Sequence, residues 1–352
     1  MNFASDNTSG ISDRILAAIA EANSGFVGSY GGDDLTARLD AAFGALFETE
    51  VTVVPVATGT AANVLSLAAI TPPWGGILCG DLSHVMTDEC GAAELVTGGA
   101  KLFGMATRNA KMRPDRLKET LGSWPGGVPH HVQPSSLSIS QVSEFGAVWT
   151  PGEVAEIGAI AKTHGLKLHM DGARFANAVA TLQCAPADIT WRAGVDILSF
   201  GATKNGAMAA EAIVVFDPEL AHSLPFRRMK TGHLLSKSRF LAAQLLAYIE
   251  DGHWLALAGH SNAMGARLAA ALEQAPSARL ALKPDANEVF AYLKAPLVEA
   301  LKAAGATFHG WPTGYPDAAD PPREDESLMR FVTSFQTAPE EIDRFAELVT
   351  AN

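Results

Sequence analysis

The sequence predicts an α/β protein: a large domain built on a mostly parallel sheet with helices on both faces, then a small α+β domain. Three observations carry this expectation. Short apolar runs with strand character alternate with helix-forming stretches from about residue 51 to residue 216, the pattern of strands joined by crossover helices. The chain has 352 residues, more than the roughly 250–300 at which a single core stops growing. Beyond about Trp254, helices and strands follow in a second, shorter set. The expected division is therefore 1–250 for an amino-terminal arm and the large domain, and 251–352 for the small one.

Taken in order, residues 1–34 read as an extended arm, a helix from Ile11 to Ala22 and a glycine-rich turn at Gly28-Ser29-Tyr30-Gly31-Gly32-Asp33. A helix from about Leu35 to Phe47 leads into a buried strand, Val51 to Val56. Ile77-Leu78-Cys79 is a strand, Asp88 to Val96 a helix, and Ser136 to Ser140 a strand. Pro151-Gly152-Glu153 opens a helix running to His164, because apolar residues then recur at helical spacing. In Leu166 to Met170 they alternate, as a strand requires. Val195 to Phe200 and Ala212 to Phe216 are further strands. The stretch Leu224 to Glu250 carries Arg227, Arg228, Lys230, Lys237 and Arg239 before an apolar helix. In the second unit a helix (Ala263 to Glu273), a strand (Glu288 to Leu293), a helix (Leu297 to Ala304), a strand (Leu328 to Thr333) and a helix opened by Pro339 are expected. Pro312 to Pro322 reads as a loop.

Composition excludes several classes. Twenty-six basic against 38 acidic residues give a formal charge of −12, which argues against nucleic acid or an anionic membrane as partner. No apolar run approaches the ~20 residues that span a bilayer. The start, Met1-Asn2-Phe3-Ala4-Ser5-Asp6, has no basic region followed by an apolar stretch, so no signal peptide is expected. Cys79, Cys90 and Cys184 show no metal-ligand spacing and read as reduced, mostly buried thiols of a cytoplasmic protein. No metal site is expected.

Two phrases concentrate the chemistry. Leu168-His169-Met170-Asp171-Gly172-Ala173-Arg174 and Ser199-Phe200-Gly201-Ala202-Thr203-Lys204-Asn205-Gly206 each place a charged group where an apolar strand ends. A carboxylate or ammonium at the mouth of an apolar core needs a partner. Pyridoxal phosphate would use both, since a lysine holds its aldehyde and an acid pairs with its ring nitrogen. Taken singly, Lys204 could be a solvated loop lysine, and Asp171 a helix cap or half of an ion pair with Arg174. Thr58-Gly59-Thr60-Ala61-Ala62-Asn63 opens a helix after the strand ending at Val56. It is either a simple cap or a phosphate cup, because free amides and the helix dipole favour an anion. His84 lies in a loop after Ile77-Leu78. Cup, histidine, aspartate and lysine follow one another in the order a single cofactor would need.

With these phrases, and with Ser5-Asp6-Asn7, Tyr30-Gly31-Gly32-Asp33-Asp34 and Leu328-Met329-Arg330-Phe331-Val332, the chain resembles the threonine aldolase family of pyridoxal-phosphate enzymes. The likeness is greatest to its bacterial low-specificity L-threonine aldolase and phenylserine aldolase branch. The resemblance implies the aspartate-aminotransferase-like fold (fold type I) and a lyase that splits L-threonine, L-allo-threonine or related L-β-hydroxy-α-amino acids into glycine and an aldehyde. It implies that Lys204 bonds the coenzyme aldehyde, Asp171 holds the ring nitrogen, His84 stacks on the ring, and Gly59, Thr60 and Thr203 bind the phosphate. Arg174 and Arg330, with Ser5, would hold the substrate carboxylate, Tyr30 would also meet the substrate, and Arg174 would contact the coenzyme as well. A dimer or tetramer with interfacial active sites is implied, in which Tyr30 or the basic segment reaches a neighbour. Many relatives carry a histidine where this chain has Glu144, so His84 and Glu144 are the candidate bases. Lys204, Asp171 and the cup would equally serve a β-eliminating lyase, a racemase, an aminotransferase or a non-catalytic binder of the coenzyme.

Overall fold

The computed structural model describes residues 1–311 and 320–351; residues 312–319 of the proline-rich segment lie outside the described residues. In the large unit the strands are β1 (Thr52–Val56), β2 (Gly75–Gly80), β3 (Lys101–Met105), the small hairpin β4 (Thr107–Arg108) and β5 (Lys111–Met112), β6 (Gln133–Ser140), β7 (Lys167–Gly172), β8 (Ile197–Gly201) and β9 (Glu211–Val215). Seven of them form one sheet in the order β1-β9-β8-β7-β6-β2-β3. Only β9 runs antiparallel to its neighbours, β1 and β8; the remaining pairs are parallel.

Both faces of this sheet are covered, which is why its strands read as nearly continuous apolar runs. Along β9, Ala212 and Val214 face one core with Phe43, Phe47, Phe175, Phe200 and Trp254. Ile213 and Val215 face the other, against the helix Gly59–Ile70. This arrangement brings the carboxyl ends of β1, β2, β6, β7 and β8 to a single edge, with the amino end of β9 beside them. Thr58, His84, Glu144, Asp171 and Lys204 all sit on or just beyond those ends.

The small unit holds β10 (Ala278–Leu280), β11 (Glu288–Lys294), β12 (His309–Gly310) and β13 (Glu326–Val332), antiparallel in the order β10-β11-β13-β12. The amino-terminal arm lies along it. The Phe3 amide donates to the Thr307 carbonyl (2.8 Å), the Phe3 carbonyl accepts from the Val332 amide (2.9 Å), and the Phe3 ring packs edge-on against Phe331 and Phe345. Anchored there, the arm delivers Ser5 and Asp6 to the edge of the large sheet.

Local departures from expectation have local causes. The helix expected from Asp88 to Val96 starts only at Ala92 (Ala92–Thr97), because Cys90 and Gly91 take positive φ (52° and 72°); a separate short helix, His84–Thr87, precedes it. The helix expected from Ala263 begins at His253; Trp254 and Ala258 pack into the large core, and Met264, Leu268 and Leu272 into the small one. That face is shared between two cores, so neither alone announces it. The strand β3 was not expected; it is an edge strand paired only with β2 and carries Gly104 in its middle. Cys79 is buried but Cys90 is exposed, and Cys184 is intermediate. Among the described residues no helix is long and apolar enough to cross a membrane.

His169, in the middle strand β7, shows how polar groups are accommodated inside this sheet. Its Nδ1 lies 2.9 Å from Ser138 Oγ on β6 and its Nε2 2.9 Å from Ser199 Oγ on β8. Burial pushes its pKa down to about 4, against the upward pull of Asp171. Between about pH 6.5 and about 4 the unfolded chain takes a proton that the folded one refuses, so stability falls as pH falls across that window. The loss should reach roughly 3 kcal/mol at the acid end, and the contribution should be complete above about pH 6.5. Denaturant titrations of the native chain and of His169→Gln across this range should differ by close to one proton in their pH slope.

Candidate active site

Asp171 ends the apolar run of β7, with Ser140 of β6 and Ser199 of β8 as its register partners. It is buried, and each carboxylate oxygen has a donor. Oδ1 accepts from the Ala173 amide (2.9 Å), and Oδ2 accepts from Asn63 Nδ2 (2.8 Å). Asn63 lies one turn inside the helix Gly59–Ile70, so the same helix that opens with the cup also reaches the acid. A buried carboxylate bonded in this way is oriented as well as desolvated.

From Asn63 the network continues. Asn63 Nδ2 also donates to Glu89 Oε1 (2.9 Å), and that oxygen lies 2.9 Å from His84 Nδ1. Glu89 is fully buried while the imidazole is about half exposed. The hydrogen bond to Glu89 raises the His84 pKa, outweighing the downward effects of burial and of Lys204. Holding Nδ1–H on a carboxylate leaves Nε2 as the atom able to accept a proton. Glu144 approaches the same residue from the other side: its Oε1 accepts from the His84 amide (3.1 Å) and from Ser140 Oγ (2.5 Å). Burial pushes its pKa up to about 7 despite those bonds. Two titratable groups, one raised by a hydrogen bond and one by burial, thus meet at the same strand ends as Asp171.

Lys204 occupies a single 3-10 turn, Thr203–Asn205, immediately after β8. Asn205 is pinned below it by bonds to Tyr248 Oη (2.8 Å) and the Trp254 carbonyl (2.9 Å). Among the described residues no hydrogen bond or ion pair is made by the Lys204 ammonium, yet its field acts on Asp6, His84, Glu211 and Glu288. Nearby, Thr58 caps the helix Gly59–Ile70, its Oγ1 accepting from the Ala61 amide (3.2 Å). A Cβ added at Gly59 would meet nothing within 4 Å, so the helix start is open to a ligand. Thr203 Oγ1 accepts from the Ala210 amide (3.2 Å). Glu211, at the start of β9, accepts from the Ala202 amide (3.1 Å); burial pushes its pKa up to about 7. The helix Leu224–Lys230 packs on the cup helix through Leu224. It carries Arg228, which is buried with Nη2 lacking any hydrogen-bond partner, its pKa pushed down to about 10 by burial.

A second cluster lies where the arm, the large sheet and the small sheet meet. Arg174 grips Asp6 with two bonds, Nε to Oδ2 (2.7 Å) and Nη2 to Oδ1 (3.0 Å), and its Nη1 lies 2.9 Å from Glu288 Oε2. Asn287 Nδ2 adds a third donor to Asp6 (3.1 Å). Burial would raise the Asp6 carboxyl, but Arg174 outweighs it and holds the pKa below the usual range. Arg330 is less well held. It lies over the Trp311 ring (4.7 Å), its Nη2 donates to the Ala4 carbonyl (3.5 Å), its Nη1 is 4.0 Å from Glu288 Oε1, and its buried Nε has no partner among the described residues. Ser5 Oγ accepts from the Asn7 amide (3.2 Å) beside Asp6.

The structure therefore brings Asp171, His84 and Glu144 into one bonded group, sets Lys204 and the Gly59–Thr60 helix start at the same sheet edge, and gathers Arg174, Arg330 and Ser5 around Asp6. Arg174, expected to serve coenzyme and substrate, already spends three donor atoms on Asp6 and Glu288. Tyr30 is not part of either cluster: it is 56% exposed and its amide donates to the Ser236 carbonyl (2.9 Å). Glu89, Glu211 and Glu288 were missed in the sequence. The last two had a visible signal, a lone acid at the head of an apolar strand. Glu89 had none.

The architecture is the aspartate-aminotransferase-like fold, and likeness to known proteins makes the chain an enzyme of the lyase class. The family model described as "Beta-eliminating lyase" matches residues 2–296, and the chain belongs to that family. A low-specificity L-threonine aldolase of Pseudomonas aeruginosa is 42% identical over 307 residues, covering 87% of this chain and 88% of its own length. Its counterpart from a Pseudomonas sp. is 41% identical over the same shares. A threonine aldolase structure from Leishmania major superposes with a TM-score of 0.91 at 28% identity, over 99% of this chain and 98% of that one. A serine palmitoyltransferase of Sphingomonas wittichii, at 16% identity and a TM-score of 0.72, shares the fold.

Because Glu89 is what raises the His84 pKa, Glu89→Gln should move the imidazole titration to lower pH. Nitrogen-detected NMR of the histidine ring reads this directly; an unchanged titration would remove Glu89 from that role.

Proposed function

We propose that this chain is a pyridoxal-phosphate-dependent aldolase that cleaves L-threonine, L-allo-threonine or a related L-β-hydroxy-α-amino acid, such as phenylserine, to glycine and an aldehyde. The observation that carries the reading is the meeting, at one sheet edge, of an unpartnered Lys204 ammonium, the oriented Asp171 carboxylate and an open helix start. An aldehyde, a protonated ring nitrogen and a phosphate are the complementary groups. The likeness to aldolases named for threonine supports this substrate class over others on the same fold.

In this reading Lys204 would hold the coenzyme through its aldehyde, Asp171 would pair with the ring nitrogen, His84 would stack on the ring, and Gly59, Thr60 and Thr203 would bind the phosphate. Arg228, with its orphaned buried Nη2 on the helix packed against the cup, is the member of the basic segment best suited to assist the phosphate. When bound, the coenzyme supplies an electron sink for the pair released as Cα–Cβ breaks. The protein residues do the rest. Arg330 and Arg174, with Ser5, orient the substrate carboxylate, a task for which a planar guanidinium fork suits. His84, its Nδ1 held by Glu89, accepts the β-hydroxyl proton at Nε2. Glu144, with its pKa near neutrality, is placed to exchange that proton with His84's surroundings.

The assembly is proposed to be a homodimer or homotetramer. Phe26, Val27, Tyr30 and Leu235 are exposed apolar side chains, and the Tyr30–Ser236 bond joins their two segments into one patch. Such patches on a folded chain mark contact surfaces. A cytoplasmic location accords with three free cysteines.

Threonine, allo-threonine and phenylserine should each yield glycine and the matching aldehyde. Ammonia and pyruvate from serine, or D-alanine from L-alanine, without any aldehyde would replace the reading by a β-eliminating lyase or a racemase. Lys204→Ala should abolish borohydride-reducible coenzyme and nearly all activity. His84→Asn should lower turnover by at least ~10²-fold with the coenzyme still bound; near-normal turnover would move the base elsewhere. Arg330→Ala should weaken amino-acid affinity at unchanged coenzyme content, and an unaltered KM would remove Arg330 from the carboxylate site.

A further inference from the structure

The mechanism uses the guanidiniums of Arg174 and Arg330 and leaves unused the acid that stands between them. Glu288 opens β11 and is 2% exposed. Its Oε2 lies 2.9 Å from Arg174 Nη1 and its Oε1 4.0 Å from Arg330 Nη1. Asp6 completes the group, so two cations already face two anions in a buried place. With Lys204 committed to the coenzyme aldehyde in the reading above, a substrate carboxylate would bring a third negative charge, and an uncompensated buried charge is costly. One resident acid must give way.

Geometry selects which. Asp6 has both oxygens bonded by Arg174 and a further donor from Asn287. Glu288 Oε2, although 2.9 Å from Arg174, makes no hydrogen bond of good geometry among the described residues, and Arg330, whose Nη1 lies 4.0 Å from Glu288 Oε1, likewise has an unsatisfied Nε there. The loosely held pair is therefore Glu288 and Arg330. We propose that Glu288 is a positioning residue that occupies the arginine clamp as a carboxylate in the absence of substrate and takes up one proton when the carboxylate of an α-amino acid replaces it there. The proton comes from solvent on binding and returns to solvent on product release; no other bond changes.

The groups facing Glu288 fit this. Arg174 and Arg330 favour its ionised form, as does Lys204, while Asp6 opposes it. Burial, helped by Asp6, prevails over the three cations and already raises the Glu288 pKa. The inference rests on the amino-acid site proposed above, and it makes the clamp selective for the protonation state in which it can accept an anion.

The test is titration of the coenzyme-loaded protein with glycine, followed by visible absorbance from mildly acid to mildly alkaline pH, for the native chain, Glu288→Gln and Glu288→Met. Where Glu288 is ionised, the native half-saturation concentration should climb about tenfold per pH unit relative to the neutral variants; the curves should converge toward acid. Identical pH profiles, or weaker binding by Glu288→Gln at every pH, would overturn the proposal. Calorimetry of the native chain in two buffers gives an arm that needs no variant. Glycine should take up about one proton more than methylamine, which has a similar amine and no carboxylate; an equal uptake overturns the role of Glu288. A native protein whose absorbance answers neither amine at any pH would bring down the functional reading itself, and this inference with it.

Discussion

Asp171 lies at the mouth of an apolar sheet, where desolvation makes an unsupported carboxylate expensive, and its support organises the site. Asn63 and the Ala173 amide bond its two oxygens. Because Asn63 is on the cup helix, the acid and the helix start cannot move independently. Because Asn63 also bonds Glu89, and Glu89 the His84 ring, the orientation of the imidazole is tied to the same point. Ser140, the register partner of Asp171, bonds Glu144. One buried carboxyl group thereby fixes the positions of His84, Glu144 and the start of the helix Gly59–Ile70.

The fold makes this possible by putting five strand ends on one edge. A parallel sheet leaves the ends of its strands free of hairpins, so each can turn out into a loop that carries a functional side chain. The antiparallel β9 adds to this edge the acid at its start, Glu211, beside Thr203. The small sheet contributes from the opposite side. Its strands β11 and β13 carry Glu288 and Arg330, and the arm that it anchors through Phe3 carries Asp6.

The electrostatics of the two clusters differ in kind. Around His84 the hydrogen bond to Glu89 raises the imidazole pKa and burial raises that of Glu144 to about 7, which suits proton exchange. Around Arg174 the pairing with Asp6 is tight, while Arg330 is held at a distance and partly unsatisfied. The two arginines are thus treated unequally: Arg174 is neutralised within the chain, and Arg330 keeps an unsatisfied donor among the described residues.

Local sequence was sufficient for the alternating α/β architecture, since apolar runs and helical spacing are short-range properties. It was also sufficient for Asp171, Lys204, His84 and the Thr58–Asn63 helix start, each marked by a charged, polar or glycine residue placed just where a strand ends or a helix begins. It did not reveal β3, whose single neighbour and central glycine blur its pattern, or the start of the long helix at His253, whose apolar face is divided between two cores. Nor could it pair Glu89 with His84 and Asn63, or Asp6 and Glu288 with Arg174, because those partners are joined across elements far apart in the chain. The sequence by itself determined which chemical groups stand at the sheet edge. The tertiary structure alone decided which of them share a proton, which are already neutralised and which remain open, because burial and distance set a charge's partners and both arise only when the layers are packed.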